Sequence, residues 1–135
     1  IIERNSRFLM VEEAIEGRLV LNQPAGHLED GESLLEAVVR ETREETGCRF
    51  TPMAIIGLYR WSRGDRTYLR VAYTGDASAP EPGRRLDTGI ARTLWLSEQE
   101  MAGQPQRLRS PLVMATVRDH LAGRRYPLEL VRDIV

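Results

Sequence analysis

"RETREETG", Arg40–Gly47, places three glutamates and two arginines in eight residues. Glu41, Glu44 and Glu45 recur at spacings of three and four, the spacing that gathers side chains along one side of a helix. The flanks supply that helix. Ser33 with Glu36 three residues on forms a capping box, and Gly47 suits the left-handed residue that closes a C-terminus, which predicts a helix over Ser33–Thr46. On a wheel at about 100° per residue, Glu45 lies roughly 40° to one side of Glu41 and Glu44 roughly 60° to the other. Leu34, Ala37 and Val38 share that arc, Leu35, Val39 and Thr42 widen it, and Glu36, Arg40 and Arg43 take the opposite side.

A solvated charged face points away from a helix's apolar stripe. These glutamates prolong the stripe instead. Carboxylates crowded beside a core raise one another's pKa, and a divalent cation removes the conflict. Mg²⁺ takes hard oxygen ligands and bridges carboxylates to substrate phosphates. The competing reading is a surface helix on which Glu44 pairs with Arg40. The residues of the helix alone leave the two readings open.

The surroundings narrow the choice. Upstream, "QPAGHLEDGE" is a loop in which Gly26 can bring backbone close to a ligand. His27 has no second histidine near it in sequence and reads as an ordinary loop residue. "RFLMVEE" and "RLVLN" read as strands, and Ile1–Glu3 as the end of an earlier one. "PMAIIGLYRW" and "TYLRVAYTG" read as two strands turning at Ser62–Arg66, and "ARTLWLS" as another strand. A second helix is expected over Pro111–Ala122, capped by Ser110 and ended by Gly123. Gly75–Gly89, rich in Pro and Gly, reads as a surface loop. Strands, helix, strands, helix without regular alternation is an α/β (α+β) pattern.

The 135 residues fit one domain, 1–135. Net charge is −1, which gives no support to nucleic-acid binding. No apolar run approaches the ~18 residues of a membrane span. There is no signal-peptide pattern and a single cysteine, Cys48, so a reducing, cytoplasmic compartment is expected. Charge is uneven: Glu29–Glu45 holds seven acids, and Arg60–Arg70 holds four arginines. An acidic and a basic segment in one small chain suit a site for metal plus phosphate.

The register from Gly26 to Cys48 resembles the Nudix box, G-x5-E-x7-R-E-U-x-E-E-x-G-U with U bulky and aliphatic. Gly26, Glu32, Arg40, Glu41, Glu44, Glu45 and Gly47 fall in place; Thr42 and Cys48 depart at the two U positions. "FLMVEE", "LNQPAGHLE", "RSPLV" and "RYPLE" look like the NudJ-like phosphatase branch of that family. The chain starts at Ile1, and most of the family's first strand is expected to be missing. The resemblance implies a Nudix fold, an α/β/α sandwich around a mixed β-sheet with the box as loop–helix–loop. It implies a hydrolase of nucleoside diphosphates linked to another moiety, or of related diphosphates; the branch raises pyrimidine diphosphates of thiamin synthesis. It implies Mg²⁺, with Mn²⁺ as substitute, on Glu41, Glu44, Glu45 and the Gly26 carbonyl. Glu32 and Arg40 are implied in support, Arg40 by orienting the carboxylates through ion pairs.

Further roles are expectations from the residues. Glu44 or Glu41 accepts the proton of the attacking water. The resemblance also implies that a base or extra ligand can come from a distant loop, for which Glu98 and Glu100 are the candidates, against a plain helix start after Ser97. Arg70 sits mid-strand with a planar fork suited to phosphate, and Trp61 offers a ring for stacking on a base. The alternative function is a non-enzymatic nucleotide- or metabolite-sensing domain, against which the intact carboxylate set stands. Oligomeric state is not legible.

Overall fold

The computed structural model describes residues 1–135. Its strands are β1 (Glu3–Arg4), β2 (Arg7–Ile15), β3 (Arg18–Asn22), β4 (Phe50–Arg63), β5 (Arg66–Ala77) and β6 (Ile90–Leu96). Its helices are α1 (Leu34–Thr46), α2 (Glu98–Ala102) and α3 (Leu112–Leu121), with short 3₁₀ turns at Pro105–Arg107 and Leu128–Leu130.

β2 organises the molecule. Its residues 8–12 are all buried, the signature of a strand covered on both faces. Side chains alternate across a strand, so Phe8 and Met10 join one core cluster and Leu9 another. The first cluster adds Leu21, Leu96, Met101, Val113 and Val117, packing the sheet on α2 and α3. The second adds Ile2, Cys48, Phe50, Ile55 and Tyr73, with Leu34 and Val38 of α1 against it. Helices thus lie on both sides of the sheets, as the sandwich requires. β1, β3 and β6 all pair with β2, while β4 and β5 form a separate two-stranded hairpin. All these pairings are antiparallel. The parallel component that makes the sheet mixed is confined to one bridge, Leu21–Leu108, where the Arg109 N–H donates to the Leu21 carbonyl at 2.8 Å.

α1 forms as its sequence demands. The Ser33 side chain accepts from the Glu36 N–H at 3.1 Å, the Ser33 N–H donates to Glu36 at 2.7 Å, and Gly47 is left-handed at φ 74°. Leu35 departs from the expected apolar flank and is exposed, whereas Thr42 is buried. The hairpin is longer than the sequence suggests: its strands run to Arg63 and from Arg66, so the turn is only Gly64–Asp65. Ser110 does serve the start of α3, its Oγ accepting from the Leu112 N–H at 3.2 Å. Ser97 caps α2, and Glu98 and Glu100 there pair with Arg118 and Arg7. The plain helix start accounts for both glutamates.

The segment after β5 is not a detached loop. The last carbonyls of a helix have no partner within it, and those of α1 are satisfied from residues 81–87. The Glu81 N–H donates to the Gly47 carbonyl at 2.9 Å, Arg84 Nε to that of Arg43 at 3.3 Å, and the Asp87 N–H to that of Glu44 at 3.0 Å. Arg43 adds a pair with Glu81 at 2.9 Å. This docking delivers Asp87 to the end of α1. No helix is long and apolar enough to cross a membrane.

Candidate active site

The glutamates of α1 divide by depth. Glu45 is buried, 5% exposed, and one of its oxygens accepts from the Ala25 N–H at 3.5 Å. Burial pushes its pKa up to about 8, reinforced by the negative charges of Glu13, Glu41 and Asp87. Glu41 and Glu44 lie further out, with side chains 15% and 33% exposed. Carboxylate oxygens of Glu41, Glu44 and Asp87 come within 4.8 Å of one another.

Arg40 braces this group from the side. Its Nε and Nη2 donate to Glu32 at 2.9 and 2.6 Å, and its Nη1 donates to Glu41 at 2.8 Å and Glu44 at 3.1 Å. Nη2 also donates to the His27 carbonyl at 3.1 Å, which fixes the Gly26 loop against the helix; the His27 ring has no such part. The Arg40 guanidinium, helped by the Glu29 N–H, holds the Glu32 carboxyl down at about 2. Arg40 borders the arc of glutamates and does not oppose it: it stands four residues before Glu44, the spacing that brings helix side chains together, and its long side chain reaches Glu41 as well. The surface pair Arg40–Glu44 and the carboxylate cluster therefore coexist.

Gly26 backbone lies directly on the Glu41 carboxylate: a Cβ there would overlap all three atoms of the carboxyl group. Only glycine permits this approach. The donor set is entirely carboxylate oxygen beside bare backbone, which suits a hard divalent cation and not a thiolate-seeking one. Glu41, Glu44 and Asp87 could hold such an ion, with Glu45 behind them.

Two of these carboxylates escape a reading of the helix alone. Asp87 lies in the Pro/Gly-rich segment, and no local pattern marks it. Glu13 does carry a signal. Alternation along β2 puts it on the same side as Leu9, towards α1, and burial raises its pKa, opposed by Arg109 and Arg70. Arg70 reaches the same region. It donates to Gln23 at 3.4 Å, and burial lowers its pKa while the charge of Glu13 opposes that. Trp61 is further out near the hairpin end, stacked on Tyr68 with ring centres 5.3 Å apart.

Comparison with known proteins decides the family. The NUDIX domain model matches residues 1–116. The chain belongs to the Nudix family. It is 40% identical over 134 residues to the phosphatase NudJ of Escherichia coli strain K12, an alignment covering 98% of this chain and 87% of that protein. The solved structure of a Nudix hydrolase from Nitrosomonas europaea superposes with a TM-score of 0.95 at 43% identity, covering 99% of this chain and 93% of that one. A MutT Nudix hydrolase from Burkholderia pseudomallei, at 17% identity, shares the fold with a TM-score of 0.73 over 87% of this chain and 91% of that one. The chain is thus a Nudix hydrolase, of a family that uses divalent metal and acts on small diphosphates.

Proposed function

We propose that this Nudix hydrolase is Mg²⁺-dependent and cleaves phosphoanhydride bonds of nucleoside di- and triphosphates or related small diphosphates, releasing terminal phosphate. The observation that carries the reading is the convergence of Glu41, Glu44 and Asp87 over buried Glu45, with Gly26 backbone against Glu41. The 40% identity to a phosphatase supports phosphate as product. Mn²⁺ fits the same oxygen donors.

In this mechanism Glu41, Glu44, Glu45, Asp87 and the Gly26 carbonyl supply the oxygen ligands. When bound, the cation neutralises charge on the phosphate oxygens and makes bound water more acidic. Arg40 and Glu32 hold Glu41 and Glu44 in place, so the donors are ordered before substrate arrives. Glu44 accepts the proton of the attacking water. It is the more exposed of the outer pair, and its bond to Arg40 is longer than that of Glu41, 3.1 against 2.8 Å. Arg70 receives a phosphate oxygen on the flank near Glu13.

The test is a panel of nucleoside di- and triphosphates and pyrimidine diphosphates with Mg²⁺, reading phosphate and pyrophosphate separately. Phosphate release from di- and triphosphates is expected. Pyrophosphate from triphosphates alone would overturn the phosphatase reading, and no release from any substrate would favour a sensing domain.

A further inference from the structure

The segment between β5 and β6 brings Asp87 to the end of α1, and its hold there is polar. No residue from Ser78 to Ile90 is buried. Pro80 and Leu86 lie beside Gly47, but neither enters a core cluster. The Asp87 carboxylate has no ion-pair partner within 4.0 Å, so the main chain of its segment is what places it.

That main chain is tied to the last turn of α1, chiefly at Arg43. Arg43 Nε donates to Glu81 Oε1 at 2.9 Å and Nη2 to Glu81 Oε2 at 3.3 Å, a two-point fork stronger than a single contact. The Arg43 carbonyl accepts from Arg84 Nε at 3.3 Å, and Arg49 Nε adds a bond to Glu81 Oε1 at 3.3 Å. The next residue of the helix is Glu44, whose carbonyl accepts from the Asp87 N–H at 3.0 Å. The same helical turn therefore grips the segment and presents a carboxylate to it.

One force opposes this docking. The carboxylates of Glu41, Glu44 and Asp87 come within 4.8 Å of one another, and like charges so close repel. Segments with few buried apolar contacts open at low cost. Without a cation, the ion pair at Arg43 works against the repulsion at Asp87. A cation among the three carboxylates turns the repulsion into attraction.

We propose that Arg43 and Glu81 are positioning residues: their ion pair latches the 78–89 segment onto α1 and so presents Asp87 to the cation. The inference rests on the metal-dependent hydrolase reading above and deepens it. Apparent affinity scales with the fraction of chains in the competent state, and coupling is reciprocal. The latch therefore raises affinity for the cation by the factor by which the cation favours docking.

Hydrogen exchange reads the latch without turnover. The Glu81 and Asp87 amides, bonded to the Gly47 and Glu44 carbonyls, are followed in chelator and in Mg²⁺. In the wild type Mg²⁺ slows both, and far less so in Asp87→Asn. Glu81→Gln and Arg43→Gln each speed exchange in chelator and raise the Kd for Mg²⁺ by roughly two- to fivefold, the range for an exposed ion pair. The double variant loses no more than the larger single one, because both changes break one pair. Glu81→Arg, which sets a cation against Arg43 and Arg49, loses more. In turnover the defect is a higher Mg²⁺ requirement that added Mg²⁺ relieves, with KM for a nucleoside diphosphate and the melting temperature unmoved. An unchanged Mg²⁺ affinity or unchanged amide exchange in Glu81→Arg would overturn the latch while leaving the hydrolase reading intact. A wild type that binds no Mg²⁺ would overturn the metal reading, and the latch with it.

Discussion

Gly26→Ala separates the geometry of the site from its charge. The substitution changes no ionisable group, yet its Cβ overlaps the carboxyl carbon of Glu41, far inside the 3.4 Å at which ordinary contact begins. The backbone at Gly26 is held by Arg40 on the His27 carbonyl, whereas the Glu41 carboxyl is the far end of a flexible chain. Glu41 therefore moves. Clearing the overlap takes a retreat of about 1 Å or more, and a misplacement of that size costs on the order of a hundredfold in rate. Stability changes little, because the displaced group is not in the core. The assay is Mg²⁺-dependent hydrolysis of a nucleoside diphosphate, with thermal melting alongside. A kcat down on the order of a hundredfold, a raised Mg²⁺ requirement and a melting temperature near wild type are expected. A kcat within about threefold of wild type, under 1 kcal/mol of barrier, would refute the placement of Gly26 against a catalytic carboxylate.

Three further outcomes follow from the charges. Asp87→Asn weakens Mg²⁺ binding by isothermal titration on the order of tenfold or more, as expected for loss of a carboxylate ligand to a hard cation. Glu45, with a pKa raised to about 8 from 4.5, stabilises the metal-free fold below pH 4.5 relative to higher pH, and that contribution is lost as pH rises towards 8. At pH 7 the unfolded chain carries it ionised and the fold must take up its proton, which costs about 3 kcal/mol at about 1.36 kcal/mol per unit, so Glu45→Gln in chelator melts higher than wild type at neutral pH and converges with it near pH 4. Glu12 behaves oppositely. It is buried between Arg92, at 3.1 Å, and Arg107, and hydrogen bonding to Arg92 lowers its pKa. Its stabilisation is present above the ordinary carboxylate range and lost as pH falls through the depressed value, so Glu12→Gln costs about 1.5–3 kcal/mol in denaturant melts at pH 7 and less in acid.

The elements with local causes are those the sequence announces. The capping box at Ser33 and the left-handed Gly47 bound α1 to within a residue, and "RFLMVEE" reads as the strand that proves to be β2. The carboxylates of Glu41, Glu44 and Glu45 are legible because helical spacing aims them. What escapes depends on contacts distant in sequence. Asp87 reaches the site only because its segment satisfies the last carbonyls of α1, a tertiary arrangement that no composition records. Arg40, grouped with Glu36 and Arg43 across the helix from the glutamates, in fact stands one turn before Glu44 and pairs with it at i,i+4. The turn of the hairpin is shorter than composition suggests, because Ser62 and Thr67 pair across it with their hydroxyls 3.0 Å apart. The near absence of a parallel pairing in the sheet likewise has no counterpart in strand patterns, which carry no direction.

The central claim is that the carboxylate end of α1 is the catalytic centre. Its most direct test is kcat for a nucleoside diphosphate at saturating Mg²⁺ in Glu44→Gln, a nearly isosteric change that removes both a ligand and a proton acceptor. The account predicts a fall of roughly 10²- to 10⁴-fold, the contribution of a positioned general base, with an unchanged melting temperature. A folded Glu44→Gln variant that turns over at the wild-type rate would contradict it.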